Sequence, residues 1–580
     1  MLESLPRARY YLLGSLFLLL WFAALGTRGL FSPDEGRYGL IAHEMLVSGD
    51  WVTPHLNDLV YLEKPPLQYW MTAIAYRVIG EGEFATRLWP ALCGLATIAL
   101  SVLWAWRRSG PLGALACGCI LASNLLFFLF AQVATLDMGL TLFLLLGLAA
   151  FMQAERPAES RKAILLWQWA GWGALALAVL SKGLIGLVLP AFTVAVYTLI
   201  TRDWRLPLRL QPLSGLVILF IVCGPWFIAA QRANPEFFNF FIIHEHFARF
   251  GTAAHQRTGA WWYFLAVALL GLLPWTAFCA RERFWRSLGR LSTWQAWRST
   301  VARHVDPKQA VYRVGFNEPL FMVLWIVCVI GFFSLSHSKL PAYVVPAFPL
   351  IAVLAGGVIA RSQQDSTQLA VRAWPGLVLA VVLALSILIL RSSGVDDVSP
   401  QLMRRFTPLG LTSAALLAIA NVGAILLFRR ARIASALLVM GTLSLAGWQV
   451  LLTGATVFEE AYSARSFAGA VVRDLVAGEG NGPWYSVGIY DNSFGFYTAH
   501  PMVLVAYRDE LQLGLAINPE RGVETIDEFV LRWVASESAA AFMQPVTYES
   551  MVARGLPMVL VARDARRVFV LRQRMRTSLL

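Results

Sequence analysis

The run Tyr11-Leu-Leu-Gly-Ser-Leu-Phe-Leu-Leu-Leu-Trp-Phe-Ala-Ala-Leu-Gly-Thr-Arg-Gly-Leu30, followed at once by Phe31-Ser-Pro-Asp-Glu-Gly-Arg-Tyr38, decides how the chain is read. The first part is close to the ~20 residues a helix needs to cross a bilayer. Arg7 and Arg9 precede it as they would a leader peptide, but no convincing small-x-small exit follows, so it is read as a retained membrane helix. The second part places two carboxylates, a guanidinium and a phenol at the membrane edge. Ser32 to Glu35 also fits a capping box with Pro33 at the first helical position, where acidic side chains favour the positive end of the helix dipole. That reading accounts for the carboxylates and leaves Arg37 and Tyr38 unexplained.

Of the 580 residues, 58% are hydrophobic and 14% charged, against about 25% charged in a typical soluble domain, so the chain is a polytopic membrane protein. The net charge of +13 implies no nucleic-acid partner, because the arginines fall mostly in short loops between apolar runs, where they orient a membrane protein. The six cysteines lie within or at the ends of apolar runs, with neither metal-ligand spacing nor a disulfide framework, and read as core packing.

Apolar runs recur at roughly 11–30, 88–106, 112–132, 135–153, 163–180, 183–200, 213–230, 261–279, 319–336, 341–360, 373–390, 408–428 and 433–452, giving about thirteen crossings. With the N-terminus cytoplasmic, Arg107 and Arg108, Arg156 to Lys162, Arg202 to Arg209, the segment 280–318, Arg361 and Arg372, and Arg429 to Arg432 all fall inside, as the positive-inside rule requires. The opposite side receives the loop 31–87, the turns at Asp137 and Lys182, the loop 231–260, the turn Ser336–Lys339, the loop 391–407 and the segment 453–580. The unusual polar groups concentrate there. These boundaries give a transmembrane domain over 1–452, containing the outer loops 31–87 and 231–260, and a soluble domain over 453–580.

Within 31–87, Tyr38, Ile41, Ala42 and Met45 repeat at helical spacing, and Pro66 to Ile79 forms a second amphipathic stretch, so both predict helices lying in the interface near a lipid-borne substrate. In 453–580, Tyr485, Val487 and Ile489 alternate with small residues, 558–562 and 568–571 are short apolar runs, and 463–476 is helical in period. The reading is a small α/β domain.

Further outer-face clusters carry chemistry. Tyr61-Leu-Glu63-Lys64-Pro-Pro66 holds a carboxylate and an ammonium in an extended turn; a solvated loop is the plain alternative. Asp137 at a helix end is costly unless paired or facing water, and Lys182 interrupts a long apolar stretch, either as a functional cation or as a snorkelling turn residue. His244-Glu-His-Phe-Ala-Arg249-Phe250 does not match a zincin motif, but His244 and Glu63 together could hold a divalent ion such as zinc. Arg37, Lys64, Lys182, Arg249 and Lys339 on one face suit a phosphorylated amphipathic substrate.

In order, Phe31–Tyr38, Glu63-Lys-Pro-Pro-Leu-Gln-Tyr-Trp70, Asp137, Ser181-Lys-Gly-Leu-Ile-Gly186, His244–Phe250 and Ser338-Lys-Leu-Pro-Ala-Tyr343 resemble the motifs of bacterial lipid-linked glycosyltransferases of the GT-C fold, within the protein O-mannosyltransferase-like superfamily. The strongest likeness is to the aminoarabinose transferases of lipid A modification, over about residues 10–350. The resemblance implies an inner-membrane, multi-pass pentosyltransferase with periplasmic active site and C-terminus. It would move 4-amino-4-deoxy-L-arabinose from undecaprenyl phosphate to a lipid A phosphate by single, inverting displacement, with membrane lipids around it and no nucleotide cofactor, conferring resistance to polymyxin and other cationic peptides. Asp34, Asp137 and Glu35 would form the catalytic group, Glu35 having a helix cap as its alternative role. Arg37, Tyr38, Tyr61, Lys64, Lys182, Arg249, Lys339 and Tyr343 would bind substrate. A transferase acting on protein or another glycan, and a lipid-linked sugar flippase, are the competing readings; the one-sided placement of the polar groups disfavours the flippase.

Overall fold

A computed structural model of the chain describes residues 7–156, 160–241, 259–279, 316–362, 364–394, 398–475 and 482–572. The chain divides into two compact units: Met1–Ala23, Pro90–Leu388 and Pro408–Leu451 in the first, and Ala24–Trp89, Ile389–Thr407 and Leu452–Leu580 in the second.

The first unit is helical. Among the described residues, nine helical segments of the chain are long and apolar enough to cross a membrane, against about thirteen runs read from the sequence; most runs fall on helix, but the helix of the run 11–30 spans Arg7–Phe22 and stops short of Leu30, and the run 261–279 is divided between Tyr263–Gly271 and Thr276–Cys279. The runs 88–106 and 112–132 meet in one long segment, Glu83–Ser123, broken at Gly110, whose φ of 70° interrupts the helix ahead of Pro111. In the segment Pro341–Arg361, 94% of the most apolar 18-residue stretch is buried, which makes it a central helix of its unit; in Ser366–Ser393 the corresponding share is only 22%, and its apolar surface turns outward. Hydroxyls inside these helices donate to carbonyls one turn back, as Thr97 does to Cys93 O (2.7 Å) and Ser101 to Thr97 O (2.7 Å). Such bonds satisfy polar groups where water is absent. The cysteines are free, four buried and two partly so, consistent with packing.

The second unit begins with the helix Asp34–Ser48, a two-residue hairpin of β1 (His55–Leu56) and β2 (Leu59–Val60), and the helix Leu67–Ile79. Tyr38, Ile41, Ala42 and Met45 are buried, as their spacing requires, and small residues let the two helices approach through Ala42, Ala73 and Tyr76, with Phe496 against them. Ile74, Val78 and Ile79 remain exposed, so the second helix keeps an apolar outer stripe suited to a lipid interface.

The rest of the unit is a six-stranded sheet. β3 (Trp484–Val487), β4 (Val503–Val505), β5 (Gly522–Val523), β6 (Ala540–Met543), β7 (Met558–Arg563) and β8 (Val568–Arg572) stand in the order β5-β4-β3-β6-β8-β7. β4, β3 and β6 run parallel, and β8 joins β6 antiparallel. The alternation read over 485–489 is cut short: β3 is buried on both faces and ends at Val487, because Gly488 takes φ 71° and turns the chain. The helix Arg465–Asp474 and strands β7 and β8 lie where the sequence placed them.

The loop before Asp34 is tied to this α/β part within the unit. Ser32 N–H donates to Tyr462 O (2.8 Å), Leu30 N–H to the Tyr497 hydroxyl (2.8 Å), and the Ser493 hydroxyl to Leu30 O (2.9 Å). Gly36 is required here, since a Cβ would lie 2.5 Å from the Ser493 backbone nitrogen.

Candidate functional site

Asp34 and Glu35 open the same helix and have opposite surroundings. Glu35 is buried and bound to two guanidiniums: Arg87 Nε and Nη2 reach its two oxygens at 2.6 and 2.8 Å, and Arg28 Nη2 lies at 3.2 Å. Arg87 spends its other donors on the carbonyls of Leu25 (2.8 Å), Arg28 (2.7 Å) and Gly29 (2.8 Å). The expected capping box does not form. Pro33 is the N-cap and has no side-chain cap bond. Ser32 Oγ instead donates to Asp491 (2.5 Å), and Glu35 Oε2 accepts the Phe31 N–H (3.1 Å). With every face of its carboxylate engaged inside the protein, Glu35 has the environment of a structural anchor.

Asp34, by contrast, keeps 54% of its side chain exposed, and its oxygen lies 3.3 Å from Arg37 Nη1. Arg37 Nη2 pairs with Glu510, whose other oxygen accepts from Asn492 Nδ2 at 3.0 Å. Burial opposes the charge on Arg37, but Tyr61, Glu510, Tyr38 and Asp34 around it more than restore it and hold the guanidinium well above its ordinary pKa. Burial likewise raises the Glu510 carboxyl against the pull of Arg37 and Asn492.

Tyr61 is buried, its phenol raised by desolvation and by Glu63, and it donates to Glu63 Oε2 (3.2 Å). Lys64 Nζ donates to the Glu63 carbonyl (2.9 Å) and lies 3.8 Å from the Glu63 carboxylate. Tyr38 packs on Tyr69 with ring centroids 6.0 Å apart. The Tyr69 hydroxyl is buried with no hydrogen-bond partner among the described residues. The second unit thus gathers Asp34, Arg37, Tyr38, Tyr61, Glu63 and Lys64 with Glu510.

The first unit gathers another group. Asp137 starts the helix Asp137–Ala154, Lys182 ends the helix Arg161–Lys182, and the two form an ion pair. The Lys182 ammonium also stands 5.1 Å from the centroid of Tyr343, a cation–π distance. Tyr343 packs on Phe333 (4.7 Å), and Lys339 donates to Ser334 O (2.8 Å) while lying 5.3 Å from the Phe264 ring. Pairing answers the cost of placing Asp137 at a helix end. His244 and Arg249 lie outside the described residues. Among those described, no group of three or more His, Cys, Asp or Glu is placed to hold a metal.

Sequence reasoning missed Glu510, Asn492, Arg28 and Arg87. Arg508-Asp509-Glu510 reads as a solvated charge run, and Arg28 and Arg87 as generic membrane-edge arginines. The signal available was the excess of paired carboxylates at 34–35, which calls for cations somewhere.

Comparison with known proteins fits a membrane glycosyltransferase. Residues 8–290 match the family model described as dolichyl-phosphate-mannose-protein mannosyltransferase, and residues 475–572 match the aminoarabinose transferase C-terminal domain. Helices of membrane-spanning length followed by that α/β domain define a glycosyltransferase of the GT-C class. An undecaprenyl phosphate-alpha-4-amino-4-deoxy-L-arabinose arabinosyl transferase of Pseudomonas paraeruginosa is 33% identical over 71% of each chain, and a protein of the same name from Edwardsiella ictaluri is 31% identical over 61% of this chain and 60% of its own. A crystal structure of ArnT from Cupriavidus metallidurans bound to undecaprenyl phosphate superposes with a TM-score of 0.86 at 33% identity, covering 98% of both chains. The chain belongs to the aminoarabinose transferase family. The likeness extends through the C-terminal domain, beyond the 10–350 that the motifs alone supported.

Proposed function

We propose that the protein transfers 4-amino-4-deoxy-L-arabinose from undecaprenyl phosphate to a phosphate of lipid A, and so lowers the affinity of the cell surface for polymyxin and other cationic peptides. The observation that carries this reading is the match along 98% of both chains to a relative described as bound to undecaprenyl phosphate. An acceptor phosphate oxygen attacks C1 of the sugar, the C1–O bond to undecaprenyl phosphate breaks, and its electron pair leaves on the phosphate oxygen. The leaving group is a stabilised anion, so fixed cations matter more than a general acid. Lys64 and Arg249 take the donor phosphate, with Arg37, Tyr38 and Tyr61 beside it. The acceptor is already an anion at neutral pH, so Asp34 orients it or stabilises the positive charge developing at C1 rather than acting as a base. Asp137, paired with Lys182, is the catalytic carboxylate of the first unit, Lys182, Lys339 and Tyr343 bind substrate there, and inversion at C1 follows from single displacement.

The proposal places the N-terminus in the cytoplasm and the C-terminal domain and the chemistry on the periplasmic side of the inner membrane. Single cysteines introduced near Asp58 and Arg290 should label from opposite sides; labelling of both from one side contradicts it. A divalent ion held by Glu63 and His244 is a further part of the reading. A carboxylate and an imidazole are suitable donors for zinc, although the Lys64 ammonium beside Glu63 would have to shift. When bound, the ion would help neutralise phosphate. Metal analysis of the purified protein should then find an ion that Glu63→Ala loses.

The functional test is purified protein with the aminosugar donor and lipid A. Release of undecaprenyl phosphate together with the mass gain of one aminopentose on lipid A is expected. A protein that leaves donor and lipid A unchanged overturns the reading.

A further inference from the structure

The turn between β1 and β2 is a left-handed one. Leu56 pairs with Leu59, leaving Asn57 and Asp58 as the two turn residues, at φ 60° and 59°. Both positions call for a left-handed backbone, which Asn and Asp tolerate and Gly favours most at the second. An aspartate with a Cβ stands there instead. Two devices hold it. The Asn57 side chain exchanges hydrogen bonds with the Met502 backbone (2.8 and 2.7 Å), and Arg521 Nη2 donates to Asn57 O (3.1 Å). From the other side, the Glu44 carboxylate accepts both turn N–H groups, Asn57 at 2.8 Å and Asp58 at 3.1 Å.

Glu44 lies almost three turns along the helix that begins with Asp34, so this carboxylate links that helix to the hairpin. The hairpin continues directly into the donor-binding stretch: Tyr61 N–H donates to Pro54 O (2.9 Å), which extends the pairing, and Tyr61 then bonds Glu63, whose carbonyl accepts from Lys64. A solvated surface carboxylate is the plain alternative, but burial dominates its environment and pushes the carboxyl up to about 8 even against its two N–H donors. A half-buried carboxyl group that spends both oxygens on the N–H groups of a left-handed turn is placed to hold that turn.

We infer that Glu44 is a positioning residue for sugar transfer: by clasping the Asn57–Asp58 turn it fixes the register of the segment that presents Tyr61 and Lys64 to the donor phosphate. The inference rests on the proposed transfer reaction. Glu44 touches no reacting atom, so its loss is expected in donor binding rather than in the chemical step.

The test uses the full-length protein in detergent or nanodiscs. Glu44→Gln keeps the shape but turns one acceptor into a donor facing an N–H. It should raise the donor KM at least fivefold with kcat at saturating donor within twofold of wild type. Adding Asp58→Gly, which favours the left-handed backbone, should bring KM back to within twofold of wild type. A merely structural role would lower the amount of folded protein and leave KM of the folded fraction unmoved. An unchanged KM in Glu44→Gln, or a raised KM that Asp58→Gly does not correct, overturns the inference. Should Glu44→Gln alone give no folded protein, the double variant is expected to restore both yield and KM, and its failure to do so overturns it equally. Wild-type protein that releases no undecaprenyl phosphate refutes the functional reading itself, whereas wild-type turnover with an unmoved KM in Glu44→Gln refutes only the role of Glu44.

Discussion

The Glu35–Arg87–Arg28 cluster and the Asp34–Arg37 edge are adjacent in the second unit and built from the same chemistry, carboxylate against guanidinium. In the cluster every side chain is at most 3% exposed and the donors of Arg87 are shared between Glu35 and three backbone carbonyls. At the edge, Asp34 is more than half exposed and meets Arg37 at 3.3 Å, while Arg37 is held from behind by Glu510. A cluster in which the Glu35 oxygens and the Arg87 donors are all engaged fixes the backbone and leaves that carboxylate nothing to offer a ligand. An unsaturated carboxylate whose partner cation is itself anchored can face a substrate without moving. The same arithmetic of satisfied and unsatisfied oxygens separates a carboxylate that anchors from one left open to a ligand.

Breaking the cluster should have the largest effect. Arg87→Ala leaves Glu35 buried with Arg28 as the one remaining guanidinium of the cluster, and removing one partner of a buried pair costs about 3–5 kcal/mol, so thermal melting in detergent should fall sharply and folded yield with it; a melting temperature within two or three degrees of wild type would make the cluster dispensable. Next is the edge. Asp34→Asn should lower kcat at least about a hundredfold, roughly 2.7 kcal/mol of barrier, without lowering the melting temperature. Glu510→Gln frees the far side of Arg37 and keeps the Asn492 hydrogen bond within reach; kcat/KM should drop on the order of tenfold, and a double variant with Arg37→Ala should be no worse than Arg37→Ala alone. Multiplying losses would mean that Glu510 acts independently of Arg37. The smallest effect belongs to Arg405→Ala, whose pair with Glu460 is 59% and 63% exposed; exposed pairs contribute about 0–1 kcal/mol, and both activity and melting should be nearly unmoved.

The contrast also explains what could be read from the sequence. The membrane helices were legible because an apolar run of spanning length has few alternatives, the helix Asp34–Ser48 because Tyr38, Ile41, Ala42 and Met45 repeat at helical spacing, and the helix Leu67–Ile79 because the stretch from Pro66 to Ile79 is amphipathic. The motif residues were legible as chemistry but not as geometry. Ser32 and Glu35 have the spacing of a capping box, and only long-range partners show that Ser32 turns to Asp491 and Glu35 to Arg87. Separations of 459 and 52 residues leave no local periodic trace. β5 has two residues and β6 is buried on both faces, so neither carries the alternation by which strands are recognised. Glu510 was hidden for the opposite reason: a charged triplet beside a loop looks solvated, and its burial against Arg37 exists only in the folded unit.

The most direct test of the division between anchor and reactant is single-turnover sugar transfer by purified Asp34→Asn, run beside its thermal melt. The account predicts a protein that melts like wild type and transfers aminoarabinose to lipid A at least a hundredfold more slowly. Transfer at the wild-type rate by that folded variant would contradict it.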